Sequence, residues 1–289
     1  MLHFIYNPIA GGGRAEQARR IIAPLLKDVP HAFHATSGKG EASAIARRLT
    51  AEASGDVDII AMGGDGTLHE VLNGLEDPAR VRLGLIPCGS GNDFAAAAGI
   101  PMDLAAALEV ILRGEARYTD YMECSGVRGI NAIGTGIDVD ILRRYAKMKV
   151  LKGSAAYLAS LLLTVVSYKP KRFSEVVGDV PEPHEALIAC AANGQSFGGG
   201  IPIAPRAALD DGLMDVVIID GIRKIAIPRA FLMLMKRRVL ELRQTLFKRQ
   251  PRLTVRPDAP MAIQIDGEIY EDLPFNVELI HGVLRFYRP

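Results

Sequence analysis

The sequence predicts an α/β domain built on a parallel sheet, followed by an antiparallel β-sandwich. Up to about residue 125, short apolar runs alternate with helical patterns, and glycine-rich turns join them. Beyond that point alternating runs are linked by Gly, Pro and Asp turns with few helices between them. The chain has 289 residues, more than the roughly 100–200 of one domain, so we divide it into 1–125 and 126–289.

In the first part, the run from Phe4 to Pro8 precedes a Gly turn and a helical pattern over 15–29. Val57–Met62 precedes Gly-Gly-Asp-Gly and a helix starting near Thr67, and Leu83–Pro87 precedes Gly-Ser-Gly-Asn-Asp and an Ala-rich helix. Ligands of parallel sheets bind at the carboxyl ends of the strands, where all three glycine turns fall. In the second part, residues 185–194, 213–220, 252–257 and 261–270 read as strands, and 154–168 and about 224–250 as helices. The last strand, 283–288, suits either domain.

Composition excludes several classes. With 49% hydrophobic and 23% charged residues the chain is an ordinary globular protein, and a net charge of +1 gives no general pull toward nucleic acid. Three scattered cysteines, Cys88, Cys124 and Cys190, form neither a disulfide framework nor a zinc pattern and suit a reducing cytoplasm. The N-terminus reads as a strand instead of a signal peptide. The apolar run Ser154–Tyr168 is shorter than the roughly 20 residues that span a bilayer, so it is expected to be a buried or interfacial helix.

The main chemical motif is Gly63-Gly64-Asp65-Gly66-Thr67-Leu68-His69-Glu70. Glycines let backbone N–H groups approach an anion, and the helix N-terminus favours phosphate. An acid there makes sense if Asp65 engages Mg²⁺, or if it simply caps the helix. Gly89-Ser90-Gly91-Asn92-Asp93 is a second loop able to hold phosphate, or merely a turn capped by Asn92 or Asp93. Asn7-Pro8-Ile9-Ala10-Gly11-Gly12-Gly13-Arg14 is a third, and it fits neither the P-loop nor the dinucleotide fingerprint. Asp266-Gly267-Glu268 places two acids two apart. On a strand they share a face, as a general base or a metal pair; otherwise the Asp-Gly is a surface turn. The acidic turn Asp210-Asp211-Gly212 offers oxygens for a structural Mg²⁺ or Ca²⁺. Residues 223–252 hold ten Lys or Arg among apolar residues and one Glu, so they read either as a basic amphipathic helix for anionic membranes or as a solvated face. No nucleic-acid fold motif is present.

Together, and in this order with Thr36-x-x-x-Gly40-Glu41-Ala42 between the first two loops, these motifs resemble the diacylglycerol kinase catalytic-domain superfamily, specifically the bacterial diacylglycerol and YegS-like lipid kinases. The resemblance spans essentially the whole chain. It implies an NAD kinase/phosphofructokinase-like α/β domain, ATP as phosphate donor, and a lipid entering between that domain and the sandwich. Asn7, Thr36, Gly63, Gly64, Asp65, Gly66, Thr67, Leu68, His69, Glu70, Gly89, Ser90 and Asn92 would bind ATP. Asp65, Asp120 and Asp266 would hold catalytic Mg²⁺, and Glu268, beside Asp266, would take the lipid hydroxyl proton. Asp211 and the carbonyls of Ala208 and Leu213 would hold a structural Mg²⁺. Ser90 stands where Thr is common, and His281-Gly282-Val283-Leu284 replaces a more usual Pro-Gly-Ala-Leu-like turn.

The resulting expectation is a cytoplasmic, peripherally membrane-associated kinase of a lipid hydroxyl, foremost diacylglycerol, with homodimer pairing through exposed strands left open. Two alternatives remain. An NAD kinase-like enzyme would phosphorylate NAD and ignore lipid micelles. A non-catalytic nucleotide- or lipid-binding regulator would bind ATP without releasing ADP.

Overall fold

The computed structural model describes residues 1–148, 153–177 and 180–289. The chain forms two compact units, Met1–Asp120 with His281–Pro289, and Tyr121–Ile280.

The first unit runs β1 (Leu2–Tyr6), α1 (Ala10–Ile22), β2 (His31–Ala35), α2 (Glu41–Glu52), β3 (Val57–Gly63), α3 (Asp65–Gly74), β4 (Val81–Pro87), α4 (Asp93–Ala97) and α5 (Leu104–Leu112). β5 (Ala116–Cys124) carries the chain out of it. Its strands are parallel in the order β2-β1-β3-β4. Every residue of β3 is buried, as expected of a strand covered by helices on both faces. The helix expected over 15–29 stops at Ile22 and gives way to a 3₁₀ turn, Ala23–Leu26. Pro24 lacks the N–H that would continue the α-helical ladder.

The other edge of β4 is covered by the end of the chain. β15 (Phe275–Tyr287) pairs Arg285 with Arg82 and Phe286 with Leu83 in parallel. Arg82 grips buried Asp58 with two hydrogen bonds, at 2.6 and 2.9 Å, and the Tyr287 hydroxyl donates to the same carboxylate at 2.7 Å. Phe286 also packs on Phe94 with ring centroids 5.0 Å apart. The last strand thus belongs to the first unit.

The second unit is antiparallel. It contains β6 (Val127–Gly129), β7 (Ala132–Gly136), α6 (Ile137–Lys147), α7 (Gly153–Ser167), β8 (Lys171–Val177), β9 (Val180–Ala192) and β10 (Met214–Asp220). α8 (Ile227–Met235), β11 (Thr245–Gln250), β12 (Arg252–Pro257), β13 (Ile263–Ile265) and β14 (Glu268–Tyr270) follow. β9 is its hub, pairing with β7, β8 and β10. The period-two pattern divides two cores. Ala189, Ala191, Val216 and Ile218 enter the core shared with Leu253, Val255, Ile263 and Phe275. Ile188, Cys190, Val217 and Ile219 enter a second core with Ile137 and Ile141 of α6, and Tyr157 and Leu161 of α7. With both faces buried, β10 reads as a nearly continuous apolar run. No helix among the described residues is long and apolar enough to cross a membrane.

The long basic helix expected over 224–250 does not form. α8 covers only Ile227–Met235, and residues 245–250 are β11, paired with β10 from Thr245↔Ile219 to Gln250↔Met214. Long-range pairing with an apolar neighbour overrides the local helical pattern there. Several of the cations are also committed internally. Lys248 lies between Glu175 and Glu182, Arg249 between Asp211 and Asp215, Arg238 on Glu241 and Arg252 on Glu278.

Candidate functional site

In the first unit the glycine turns sit at the carboxyl ends of β1, β3 and β4. Gly11, Gly12 and Gly13 all have positive φ, at 62, 74 and 90°, a run that side chains rarely tolerate. The β3 and β4 turns meet backbone to backbone. A Cβ added to Gly64 would lie 2.9 Å from the Cα of Gly89, so neither position has room for a side chain. Asn92, at φ 58°, holds this junction by accepting from the Gly89 N–H at 2.9 Å and donating to its carbonyl at 3.2 Å.

Asp65 does not cap its own helix, as one sequence reading had it. Gly64 is the N-cap of α3, and the Asp65 carboxylate accepts the N–H groups of Asp93 and Phe94 at 3.2 and 3.1 Å. It therefore caps α4 from the neighbouring turn, and the Asn92 side chain goes to Gly89. Sequence reasoning works within a segment, and this cap crosses between two. Asp93, buried at 6% exposure, adds an acid that the sequence reading treated only as a cap.

The other ATP candidates take varied positions. Asn7 accepts the Ile9 N–H at 3.1 Å, and buried Thr36 donates its N–H to the Tyr6 carbonyl at 2.8 Å. Gly63 is buried, while Gly66 and Ser90 are exposed and Thr67 and Glu70 half-buried. Leu68 and His69 are buried on α3. Asp120 is fully buried on β5 and accepts from His281 Nδ1 at 2.7 Å. His281 is the residue that departs from the family turn, and nothing local links it to an acid 161 positions away.

In the second unit, Asp266-Gly267 is a two-residue hairpin turn between β13 and β14, with φ of 49 and 90°. The two acids are therefore not alternate residues on one strand face, because the chain reverses between them. Asp266 folds back to accept the N–H of Ile130 at 2.7 Å through one oxygen, and those of Asn131 and Ala132 at 2.9 and 3.0 Å through the other. Gln264 holds the Gly267 N–H at 2.9 Å. Glu268 opens β14 opposite Ile265 and is half-buried. The turn is a rigid mount, with Asp266 as its fastening.

The donors implied for Mg²⁺ differ in fit. Asp65, Asp120 and Asp266 offer the hard oxygen atoms that Mg²⁺ takes, a carboxylate oxygen keeping a second lone pair beside one hydrogen bond. At the turn of Ala208, Asp211 and Leu213 the Asp211 carboxylate meets protein groups through both oxygens. One Asp211 oxygen accepts the Leu213 N–H at 3.1 Å, and the other contacts Arg249, whose guanidinium also bonds buried Asp215 at 3.1 Å. Among the described residues, one group of three potential metal ligands lies within mutual reach, Glu175, Glu182 and His184, and Lys248 occupies its two carboxylates.

The second unit also contains a cavity of about 100 Å³ under α8, walled by Ile137, Leu161, Ile203, Phe231 and Leu234 among others. Asp138 is its one polar wall residue. Burial pushes this carboxyl up to about 7.

Comparison with known proteins places this geometry. Residues 1–124 match the family described as diacylglycerol kinase catalytic domain, and residues 131–288 match the YegS C-terminal NAD kinase beta sandwich-like domain. The chain belongs to the diacylglycerol kinase and YegS-like lipid kinase family. It is 30% identical to a diacylglycerol kinase of Bacillus subtilis (strain 168), over 93% of this chain and 90% of the relative. It is 33% identical to a probable lipid kinase YegS-like of Pseudomonas aeruginosa, over 84% and 81%. In fold it resembles a diacylglycerol kinase structure from Bacillus anthracis str. Sterne, with TM-score 0.75 and 20% identity over 100% of this chain and 96% of that one. An NAD kinase from Archaeoglobus fulgidus in complex with ATP is more distant, with TM-score 0.50 and 12% identity over 100% and 94%. The protein is a lipid kinase, with the α/β and β-sandwich-like halves that the sequence predicts, and membership in a kinase family carries ATP use with it.

Proposed function

We propose that this lipid kinase transfers the γ-phosphate of ATP·Mg²⁺ to the hydroxyl of diacylglycerol, forming phosphatidic acid and ADP. The observation that carries the reading is the Gly64–Gly89 junction, which leaves backbone and no side chain where two strand-end turns meet. Such a surface suits close approach of phosphate oxygens. Asn7, Thr36 and Ser90 join these turns in holding the nucleotide. Asp65, Asp120 and Asp266 would hold Mg²⁺, which would supply charge neutralisation for the transferring phosphoryl group. In the second unit Glu268 accepts the hydroxyl proton, and Asp266 acts through the turn, fixing Glu268 by its three backbone bonds. Diacylglycerol is favoured as acceptor because the Bacillus subtilis relative carries that name, and the apolar cavity beneath α8 is compatible with a lipid chain.

The test is transfer of labelled γ-phosphate from ATP·Mg²⁺ to mixed micelles of several lipids, with NAD in parallel. The Glu268→Gln and Asp65→Asn variants are compared with the unsubstituted chain. Label in diacylglycerol, lost in both variants with thermal melting retained, is the expected result. Label in another lipid replaces the acceptor, and label in NAD alone refutes the proposal.

A further inference from the structure

The hairpin that carries Glu268 is fastened at more than its Asp266 end. Asp266 is tied to Ile130, Asn131 and Ala132 through its carboxylate, and it donates its own N–H to the Ala132 carbonyl at 2.9 Å. Glu268 pairs with Ile265. Between them stands the middle peptide of the turn, whose N–H belongs to exposed Gly267. Gln264 Oε1 accepts that N–H at 2.9 Å, from a side chain only 3% exposed.

A buried amide holds its oxygen toward one partner only if its NH₂ group finds an acceptor on the other side. On that side lies Asp138. Gln264 is paired with Gly134 across β13 and β7, and a Cβ added to Gly134 would collide with Asp138 Oδ2 and lie 3.1 Å from Gln264 Nε2. Both atoms thus converge on the space that this glycine leaves. Both are buried, and neither has a well-formed hydrogen bond among the described residues. Asp138 is not free to turn away, because its other oxygen accepts the Val139 N–H at 3.0 Å. An acceptor faces a donor where water is excluded, which selects one direction of the amide. The reverse direction would set Oε1 against the carboxyl oxygen and Nε2 against the Gly267 N–H, two repulsive contacts.

We propose that Gln264 is a positioning residue for phosphate transfer, bracing the Asp266–Gly267 turn beneath Glu268, and that Asp138 fixes the direction in which its amide faces. The inference rests on the proposed reaction for the role of Glu268 as proton acceptor. The brace itself is measured without ATP or lipid, so either idea can fail alone.

The test exchanges acid and amide between the two positions. It is run at pH 8, above the value of about 7 to which burial raises Asp138, so that both of its oxygens accept. Asp138→Asn keeps an oxygen for Val139 and turns its NH₂ group toward Gln264 Nε2, so the Gln264 amide should flip and release Gly267. Asp138→Asn with Gln264→Glu again sets a donor against an acceptor and leaves an oxygen at position 264 for Gly267. Gln264→Met removes the brace altogether. Hydrogen–deuterium exchange of the Gly267 amide, resolved by NMR, should quicken about five-fold in Asp138→Asn and in Gln264→Met, and slow again in the reciprocal pair. In the micelle assay kcat should fall about ten-fold in the same two variants, with KM for ATP unchanged, and recover in the pair. Thermal melting checks that each protein compared is folded. Unchanged Gly267 exchange in Asp138→Asn, or a reciprocal pair that exchanges as fast as that variant, overturns the proposal. So does the expected exchange pattern with a level kcat, which would separate the brace from catalysis. The same pattern with no lipid labelled by any protein would count against the lipid-kinase reading and leave the brace standing.

Discussion

Replacing Asp138 by Asn should stabilise the protein, and the gain should grow with pH. Asp138 is fully buried in α6 against the apolar cavity. One carboxylate oxygen accepts the Val139 N–H at 3.0 Å, and the other lies beside the Gln264 amide without a well-formed hydrogen bond. Burial disfavours the charged form and raises this carboxyl from 3.8 to about 7. Below the unfolded value both states are protonated, and the residue contributes no pH dependence. Between the two values the unfolded chain ionises while the folded one stays neutral, so stability falls as pH rises. Above about 7 both are ionised and the full penalty is present. A difference of about 3 units at 1.36 kcal/mol each gives about 4 kcal/mol across the whole window. Between pH 5 and 7 the share is about 2 kcal/mol. Asparagine keeps the shape and an acceptor for Val139 but has no charge to bury. Urea unfolding of both proteins at pH 5, 6, 7 and 8 reads the effect, and taking their difference cancels every other titrating group. The variant's advantage should rise from pH 5 to about 7 and then level off. An advantage that stays constant over this range would refute the reasoning, because it would mean that Asp138 is already ionised at pH 5.

Three further outcomes are expected. Gly89→Ala places a methyl against Gly64 and should cut phosphate transfer at least ten-fold, read in the micelle assay, while the circular dichroism spectrum persists. Tyr287→Phe removes the hydroxyl that shares Asp58 with Arg82 and should lower stability by about 1–2 kcal/mol in urea unfolding. Arg249→Met leaves buried Asp215 without the cation bonded to it and, because Arg249 is itself exposed to water, should cost about 1–2 kcal/mol in urea unfolding.

What the sequence disclosed was local. Val57–Met62 followed by Gly63-Gly64 can be read as a strand and turn because pattern and glycine lie within a dozen residues of each other. That Gly64 touches Gly89, that Asp65 caps α4, and that Asp266 holds Ile130 to Ala132 are products of tertiary packing, and the intervening sequence carries no periodic trace of them. The two-residue spacing of Asp266 and Glu268 is ambiguous by itself, since it suits a strand face as well as a hairpin. The positive φ of Asp266 decides for the hairpin. Residues 245–250 mislead for a related reason. Their cations suggest a water-facing helix, and only Asp211, Asp215, Glu175 and Glu182, acids from other elements, show what those cations are for.

Residues His281–Pro289 complete a sheet whose other strands lie within Leu2–Pro87. Until these residues pair with it, the edge of β4 that β15 covers stays open, however early β1 to β4 have formed. An open strand edge is a template for pairing with other chains. A truncation before His281 would spare every acid assigned to the chemistry, yet it would leave the product with the aggregation hazard of an open sheet edge.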